Sequence, residues 1–293
     1  MLRKAKPYHF GIFILPALAL MAVFVMYPTL RTVFLSFVAE DGSLTLSNYA
    51  EVLRSRDIFN PGGYEGDFPF GALIHNALWI AIHLPITTFL GLFLAVFLRN
   101  VKGGGIVKSF IFLGMVMPMI VGGIMIRFMF DGSVGVVNMA LGFFGFPTQT
   151  WTAYPETALF SLIFGSVWLW AGFSMILYSA GLETIPNMYY EAARIDGASR
   201  IKMFLKITVP LLKPITVVVV TMTLLWELKI FDIVYVATMG GPGGTSNVLA
   251  LQMYLYAFRE WDPGKAAVVA VLITLFTLLA AIPLIRSAGD EAE

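Results

Sequence analysis

Thr223, Trp226, Glu227 and Ile230 stand at i, i+3, i+4 and i+7, so a helix would carry them on one stripe that joins a hydroxyl, an aromatic plate and a carboxylate. A sugar asks for that mixture. An aromatic face stacks on the apolar side of a pyranose, and a carboxylate accepts two hydroxyl hydrogen bonds at charge-assisted strength. The same spacing also suits a helix-packing stripe in which Glu227 pairs with a basic residue such as Arg127, and the stripe alone leaves both readings open. Lys229 and Asp232, at i and i+3 of the same stretch, read as a neutralised pair near its outer end.

Other chemistries find little to work with. The 293 residues include no cysteine, which removes disulfides, thiolate metal sites and cysteine nucleophiles. His9, His75 and His83 are scattered, so neither a metal site nor any other cofactor is expected. His75 and His83 lie eight residues apart, do not share a helical turn and have no carboxylate neighbour in sequence; both read as structural. The glycine-dense stretch Gly240 to Ser246 lacks the lysine of a phosphate-binding loop, and Gly103-Gly104-Gly105 has no Lys-Ser after it, so both read as turns. No nucleophile and base pair stands out, and the chain is not expected to be an enzyme.

The elements that must position these residues are membrane helices. Of the chain, 58% is hydrophobic and 13% charged, with a mean hydropathy of +0.82, too apolar for one soluble core. With 19 Lys+Arg against 18 Asp+Glu, it also lacks the positive excess that nucleic-acid binding requires. A bilayer core takes about 20 apolar residues per helix. Six such segments run roughly from Phe10 to Leu30, Asn76 to Leu98, Ser109 to Phe130, Ala158 to Leu182, Ile215 to Ala237 and Ala266 to Ile285. The first follows Arg3, Lys4 and Lys6 like a signal peptide, but its apolar run is long and no small-residue cleavage site follows, so it reads as a retained helix. The fold class is all-α integral membrane, six transmembrane helices in one domain.

Alternate connections carry unequal charge. Arg3, Lys4, Lys6, Arg99, Lys102, Lys108, Arg194, Arg200, Lys202, Lys206, Lys213 and Arg286 put twelve positive residues on one side. The other side has Arg31, Arg54, Arg56, Arg127, Arg259 and Lys265, and its first loop is acidic through Glu40, Asp41, Glu51, Asp57, Glu65 and Asp67. Positive loops stay inside, so both termini are expected to face the cytoplasm. The outer loop also carries a turn cluster, Asn60-Pro61-Gly62-Gly63, and a short helix around Leu46 to Leu53.

The connection 183–214, between the fourth and fifth spans, is long for a helical hairpin and patterned. Pro186 suits a first helical position, and Met188, Tyr189, Ala192 and Ile195 follow on one apolar stripe. Gly197 stops this helix, Ser199 caps a second running to about Thr208, and Pro210 and Pro214 close it. So short a helix must lie against something: the membrane surface, its own bundle, or a groove in another protein that Ala192 and Ala193 would let approach closely, with Glu191, Arg194 and Asp196 as charged edges.

The string Glu191-Ala192-Ala193-Arg194-Ile195-Asp196-Gly197-Ala198, followed by Ile207-Thr208-Val209-Pro210-Leu211-Leu212, resembles the EAA motif of permease subunits in binding-protein-dependent ABC importers. Phe231-Asp232-Ile233-Val234-Tyr235 and Gly240-Gly241-Pro242-Gly243 are similar to its sugar-permease branch, the maltose and glycerol-phosphate type. The resemblance extends from about Asn48 to the last helix. It implies a single type I importer transmembrane domain over residues 1–293 in the cell inner membrane, with a second homologous permease, an ABC ATPase dimer and an extracytoplasmic solute-binding protein as partners. Loop 183–214 then becomes a cytoplasmic coupling-helix pair seated in an ATPase cleft, with Tyr190, Glu191, Ala192, Ala193, Asp196, Gly197 and Ala198 at the contact. ATP hydrolysis would belong to the separate subunits.

The same resemblance carries Thr223, Trp226, Glu227 and Ile230 onto a sugar site, and points to Leu169, Trp170 and Phe173 on the fourth span and Met115 and Met119 beside Pro118 on the third. Met115, Met119 and Trp170 replace polar contacts of the maltose type, so the pattern departs there. The solute implied is a carbohydrate, best a neutral di- or oligosaccharide with α-glucosides among the candidates, because the inner spans offer a sugar phosphate little beyond Lys229 and Arg127. Asn76 resembles an asparagine that opens the second helix in this family and is expected to make an interhelical hydrogen bond. A rival reading, an ion-coupled carrier using Glu227, Lys229 and Asp232, calls for inverted repeats and broken helices, and the sequence displays neither.

Overall fold

The computed structural model describes residues 7–39, 41–63 and 69–290. Arg3, Lys4, Lys6, Glu40, Glu65 and Asp67, which entered the charge argument, lie outside the described residues. In chain order the helices are α1 (Pro7–Met21), α2 (Tyr27–Leu35), α3 (Ser47–Arg54), α4 (Ala72–Phe97), α5 (Gly104–Val116), α6 (Met119–Met129), α7 (Val136–Phe143) and α8 (Pro155–Thr184). They continue with α9 (Asn187–Ile195), α10 (Arg200–Met203), α11 (Val209–Leu211), α12 (Lys213–Glu227), α13 (Asp232–Ala237), α14 (Leu249–Phe258) and α15 (Pro263–Asp290). Among the described residues the only β pairing is an isolated bridge between Val38 and Leu44.

Among the described residues four helices are long and apolar enough to cross a membrane, or up to six if each of two bent pairs counts as one span. The expected third span is broken. Pro118 drives Met117 into extended geometry (φ −72°, ψ 142°), and α5 and α6 meet at 102°. The expected fifth span, Ile215 to Ala237, is broken too: α12 stops at Glu227 and α13 starts at Asp232. Upstream, Arg200–Leu211 and Lys213–Glu227 are bent by 66° where Leu212 leaves helical geometry (ψ 0°) just before Pro214. Pro16, Pro85 and Pro283, by contrast, sit inside continuous helices.

The chain divides into two compact units, Met1–Arg54 with Met253–Leu272, and Ser55–Gln252 with Ile273–Glu293. In the first, the apolar helix Phe13–Leu35 has no buried residue in its most apolar window. The Asn48 amide donates to the Ser36 and Val38 carbonyls at 3.2 and 2.8 Å, and Lys265 Nζ lies 3.1 Å from both Glu51 and Asp262. The second unit is built around α8, whose Leu159, Leu162, Ile163, Leu169, Met175, Tyr178 and Leu182 are fully or almost fully buried. Helix α4 crosses it so closely that a Cβ on Gly91 would collide with Ser174 Cβ; only glycine permits that approach. At the loop after α6, the Asp131 carboxylate accepts from the Ser133 and Val134 N–H groups and the Ser133 hydroxyl. Those bonds hold its carboxyl below the ordinary carboxylate range.

Candidate functional site

Helices α8 and α12 bring the predicted aromatic residues together. Trp170 Nε1–H donates to Thr223 Oγ1 at 2.7 Å, which aligns the indole so that it stacks on Trp226 with centroids 4.6 Å apart and planes 19° apart. Phe173 flanks Trp170 at 5.1 Å. This plate forms part of the wall of a cavity of about 330 Å³, lined also by Met119, Met222, Leu225, Lys229, Ile230, Phe231, Asp232 and Ile233. Of the predicted site residues, Met119, Trp170, Trp226 and Ile230 face it. Thr223 is buried behind the plate. Leu169 is buried against Gly122, where a Cβ would meet its Cδ1 at 2.8 Å, and Met115 is half-buried and off the cavity wall.

Glu227 is also off that wall. Its side chain is fully buried and its Oε1 lies 2.6 Å from His83 Nδ1, whose ring is equally buried. His83 therefore has the carboxylate neighbour that its sequence surroundings lack, 144 residues away along the chain. The partner is His83 rather than Arg127. The His83 ring lies 5.5 Å from Trp226, so the pair sits behind the aromatic plate. Asn76 forms the expected interhelical bond and more: its amide donates to the Glu227 carbonyl at 3.0 Å, and its Oδ1 accepts from the Leu249 N–H at 2.8 Å. One side chain thus satisfies the end of α12 and the start of α14. The His75 ring accepts from the Phe70 N–H through Nε2 at 3.2 Å and bonds the Asn247 carbonyl through Nδ1 at 2.8 Å, a structural role.

The expected Lys229–Asp232 pair is not formed. The helix that would have set them one turn apart ends at Glu227, both residues are exposed, and neither makes an ion pair among the described residues. No proline or glycine marks the break between Leu228 and Phe231, so local sequence signals could not have found it.

Loop 183–214 follows its pattern closely. Pro186 stands just before α9, one position earlier than expected. At the far end Gly197 takes φ +74°; its N–H bonds the Arg194 carbonyl at 3.0 Å and the Ala198 N–H reaches the Ala193 carbonyl at 2.9 Å. These are the paired bonds of a left-handed helix cap. Ser199 Oγ then accepts from the Lys202 N–H at 3.3 Å. The second helix runs past Thr208 to Leu211, with a π-helical stretch Phe204–Thr208 that keeps Pro210 within it. Tyr190 anchors the loop: its hydroxyl bonds Thr208 Oγ1 at 2.9 Å, and the Arg99 guanidinium lies 5.7 Å over its ring. The apolar stripe points away from this anchor. Met188 is 67% exposed and Ile195 88%, so the stripe does not rest on its own bundle. Glu191, Ala192, Asp196 and Gly197 are exposed beside it, and Ala193 and Ala198 half-buried.

The model of the family described as "Binding-protein-dependent transport system inner membrane component" matches residues 87–286. The chain is 55% identical over 294 residues to a probable ABC transporter permease protein of Pyrococcus horikoshii, covering 99% of this chain and 100% of that protein. It is 31% identical over 283 residues to the trehalose/maltose transport system permease protein MalF of Thermococcus litoralis, covering 94% and 91%. Against the alpha-glucoside transport system permease protein AglF of Rhizobium meliloti the identity is 32% over 300 residues, covering 99% and 85%. Its fold is similar to that of a chain in the crystal structure of a bacterial ABC transporter involved in the import of the acidic polysaccharide alginate, with TM-score 0.79, 18% identity and coverage of 96% and 95%.

Proposed function

This chain belongs to the family of binding-protein-dependent transport system inner membrane components, and from that membership we propose that it is one permease subunit of an ATP-driven importer of neutral di- or oligosaccharides. A second homologous permease completes the pathway, an extracytoplasmic binding protein delivers the solute, and an ABC ATPase dimer supplies the energy. The observation that carries this reading is the outward apolar stripe of α9, held on a loop that is capped at Gly197 and tied down through Tyr190. A stiff helix transmits displacement where a loose loop would absorb it. The ATPase cleft must grip that stripe differently in its open and closed states, because only a difference in binding lets nucleotide bias the membrane conformation. The sugar reading draws on the Trp170–Trp226 plate and on relatives named for trehalose/maltose and alpha-glucoside transport.

An ion-coupled carrier is the alternative, and helix continuity no longer argues against it. Breaks lie at Met117–Pro118 and between Glu227 and Asp232. Family membership supports the ATP-driven reading instead. The test is purification in mild detergent followed by uptake in proteoliposomes. The chain should come down with a second permease and an ATPase, and uptake should require ATP. Replacing Ile195, 88% exposed, by Asp should release the ATPase while changing fold stability by no more than about 0.5 kcal/mol. ATP-independent uptake that collapses with an ion gradient would overturn the proposal.

A further inference from the structure

Resting on the reading of the cavity as a sugar site, we infer that Lys229 and Asp232 make the polar contacts to the solute, and that Glu227 is a positioning residue held by His83. The wall of the cavity includes Lys229 and Asp232 and excludes Glu227. Both of these charged residues are exposed and unpaired among the described residues, whereas the Glu227 side chain has no exposed surface. Trp226 lines the cavity and lies 5.5 Å from His83, the partner of Glu227, and 4.6 Å from Trp170.

The helix break makes the difference. A continuous helix would aim Glu227 and Ile230 together along the Trp226 stripe. Ending α12 at Glu227 instead turns the chain, with Leu228 and Ile230 buried as anchors on either side of Lys229. Asn76 fixes the turn through the Glu227 carbonyl at 3.0 Å. The result is an ammonium and a carboxylate, not neutralised by each other, beside an aromatic plate. An ammonium donates to hydroxyl oxygens and a carboxylate accepts from hydroxyl protons. A neutral polyhydroxylated glycoside satisfies both, while the anionic group of a uronic acid or sugar phosphate would pair with Lys229 but set a like charge beside Asp232 and leave that carboxylate without a hydroxyl donor.

The chain contains no cysteine, so single Lys229→Cys, Asp232→Cys and Glu227→Cys variants can be labelled selectively in the assembled transporter in lipid nanodiscs. A small hydrophilic methanethiosulfonate is the reagent, and trehalose and maltose are the probes. The variants at 229 and 232 should react and be protected by sugar, and the one at 227 should stay inert. In uptake assays Lys229→Met and Asp232→Asn should each raise KM about tenfold with kcat within about twofold, while Glu227→Gln, which can keep a bond to His83, should shift KM less than about threefold. Glu227→Ala should raise KM, and the glutamine variant should rescue it.

Reaction and protection at 227 with none at 229 and 232 would overturn this assignment and leave the sugar site standing. Unchanged KM in both charge variants would do the same. If the wild-type complex takes up neither sugar and no neutral glycoside of a wider panel, the sugar reading falls, and the assignment with it.

Discussion

Burial without exposure makes the His83–Glu227 contact a costly one to break on one side. Both side chains have no exposed surface, and one hydrogen bond of 2.6 Å joins them. Removing one member leaves the other buried without its partner, whereas replacing both by apolar residues of similar volume removes the need for a partner. Glu227→Ala should therefore destabilise the chain by about 2–4 kcal/mol, and a Glu227→Leu, His83→Phe double variant by clearly less than the sum of its singles, with a coupling of about 1–3 kcal/mol. Thermal unfolding of the detergent-solubilised complex measures this; additive losses would mean that the pair contributes nothing jointly. No sequence reading could have found it. Glu227 is legible as an anomaly in an apolar stretch, but its partner is 144 residues distant, and only the crossing of α4 with α12 brings the two together. The indole stack was more accessible, because Trp226 and Trp170 each stand out within an apolar span.

Caps and breaks behave differently at the scale of helices. The Gly197 and Ser199 signals acted as read, because capping chemistry is local: it needs a left-handed residue and a hydroxyl within three positions of the helix end. Prolines inside spans are ambiguous, since a membrane helix can keep them. Pro16, Pro85 and Pro283 remain within helices here while Pro118 divides α5 from α6, so hydropathy averaged over the third span concealed its bend. The cap at Gly197 yields a sharp expectation. It has φ +74° with open space where a Cβ would stand, so the penalty of a side chain is conformational, about 1–2 kcal/mol for a branched residue and less for asparagine. Gly197→Leu should abolish uptake and ATPase coupling while membrane insertion and the amount of protein stay near wild type, and Gly197→Asn should retain most activity. Comparing transport with protein level in isolated membranes decides it, and normal uptake by the leucine variant would show that the bend carries no motion.

Charge predicts the sidedness of the whole molecule, and the packing of the larger unit gathers the same basic connections. Arg99, at the end of α4, lies over Tyr190 of α9, and Leu98 shares a buried cluster with Leu182, Ile185 and Leu212. The basic connections after α4 and α8 are therefore gathered at one end of the larger unit. At the other end of α4, His75 meets Asn247, in a region poor in Lys and Arg. Positive loops resist translocation, and a basic cluster drawn from separate connections orients a bundle more firmly than any one of them. Lys102→Cys and Lys202→Cys should thus react with an impermeant maleimide only after the membrane is opened, and Ser133→Cys, exposed after α6, should react in intact spheroplasts. The opposite pattern would place the α9 stripe outside, where no ATP is available, and an ATPase could not then grip it. Because the chain has no native cysteine, each variant reports a single position, and agreement at two separate basic connections would exclude a local inversion of one hairpin as the explanation.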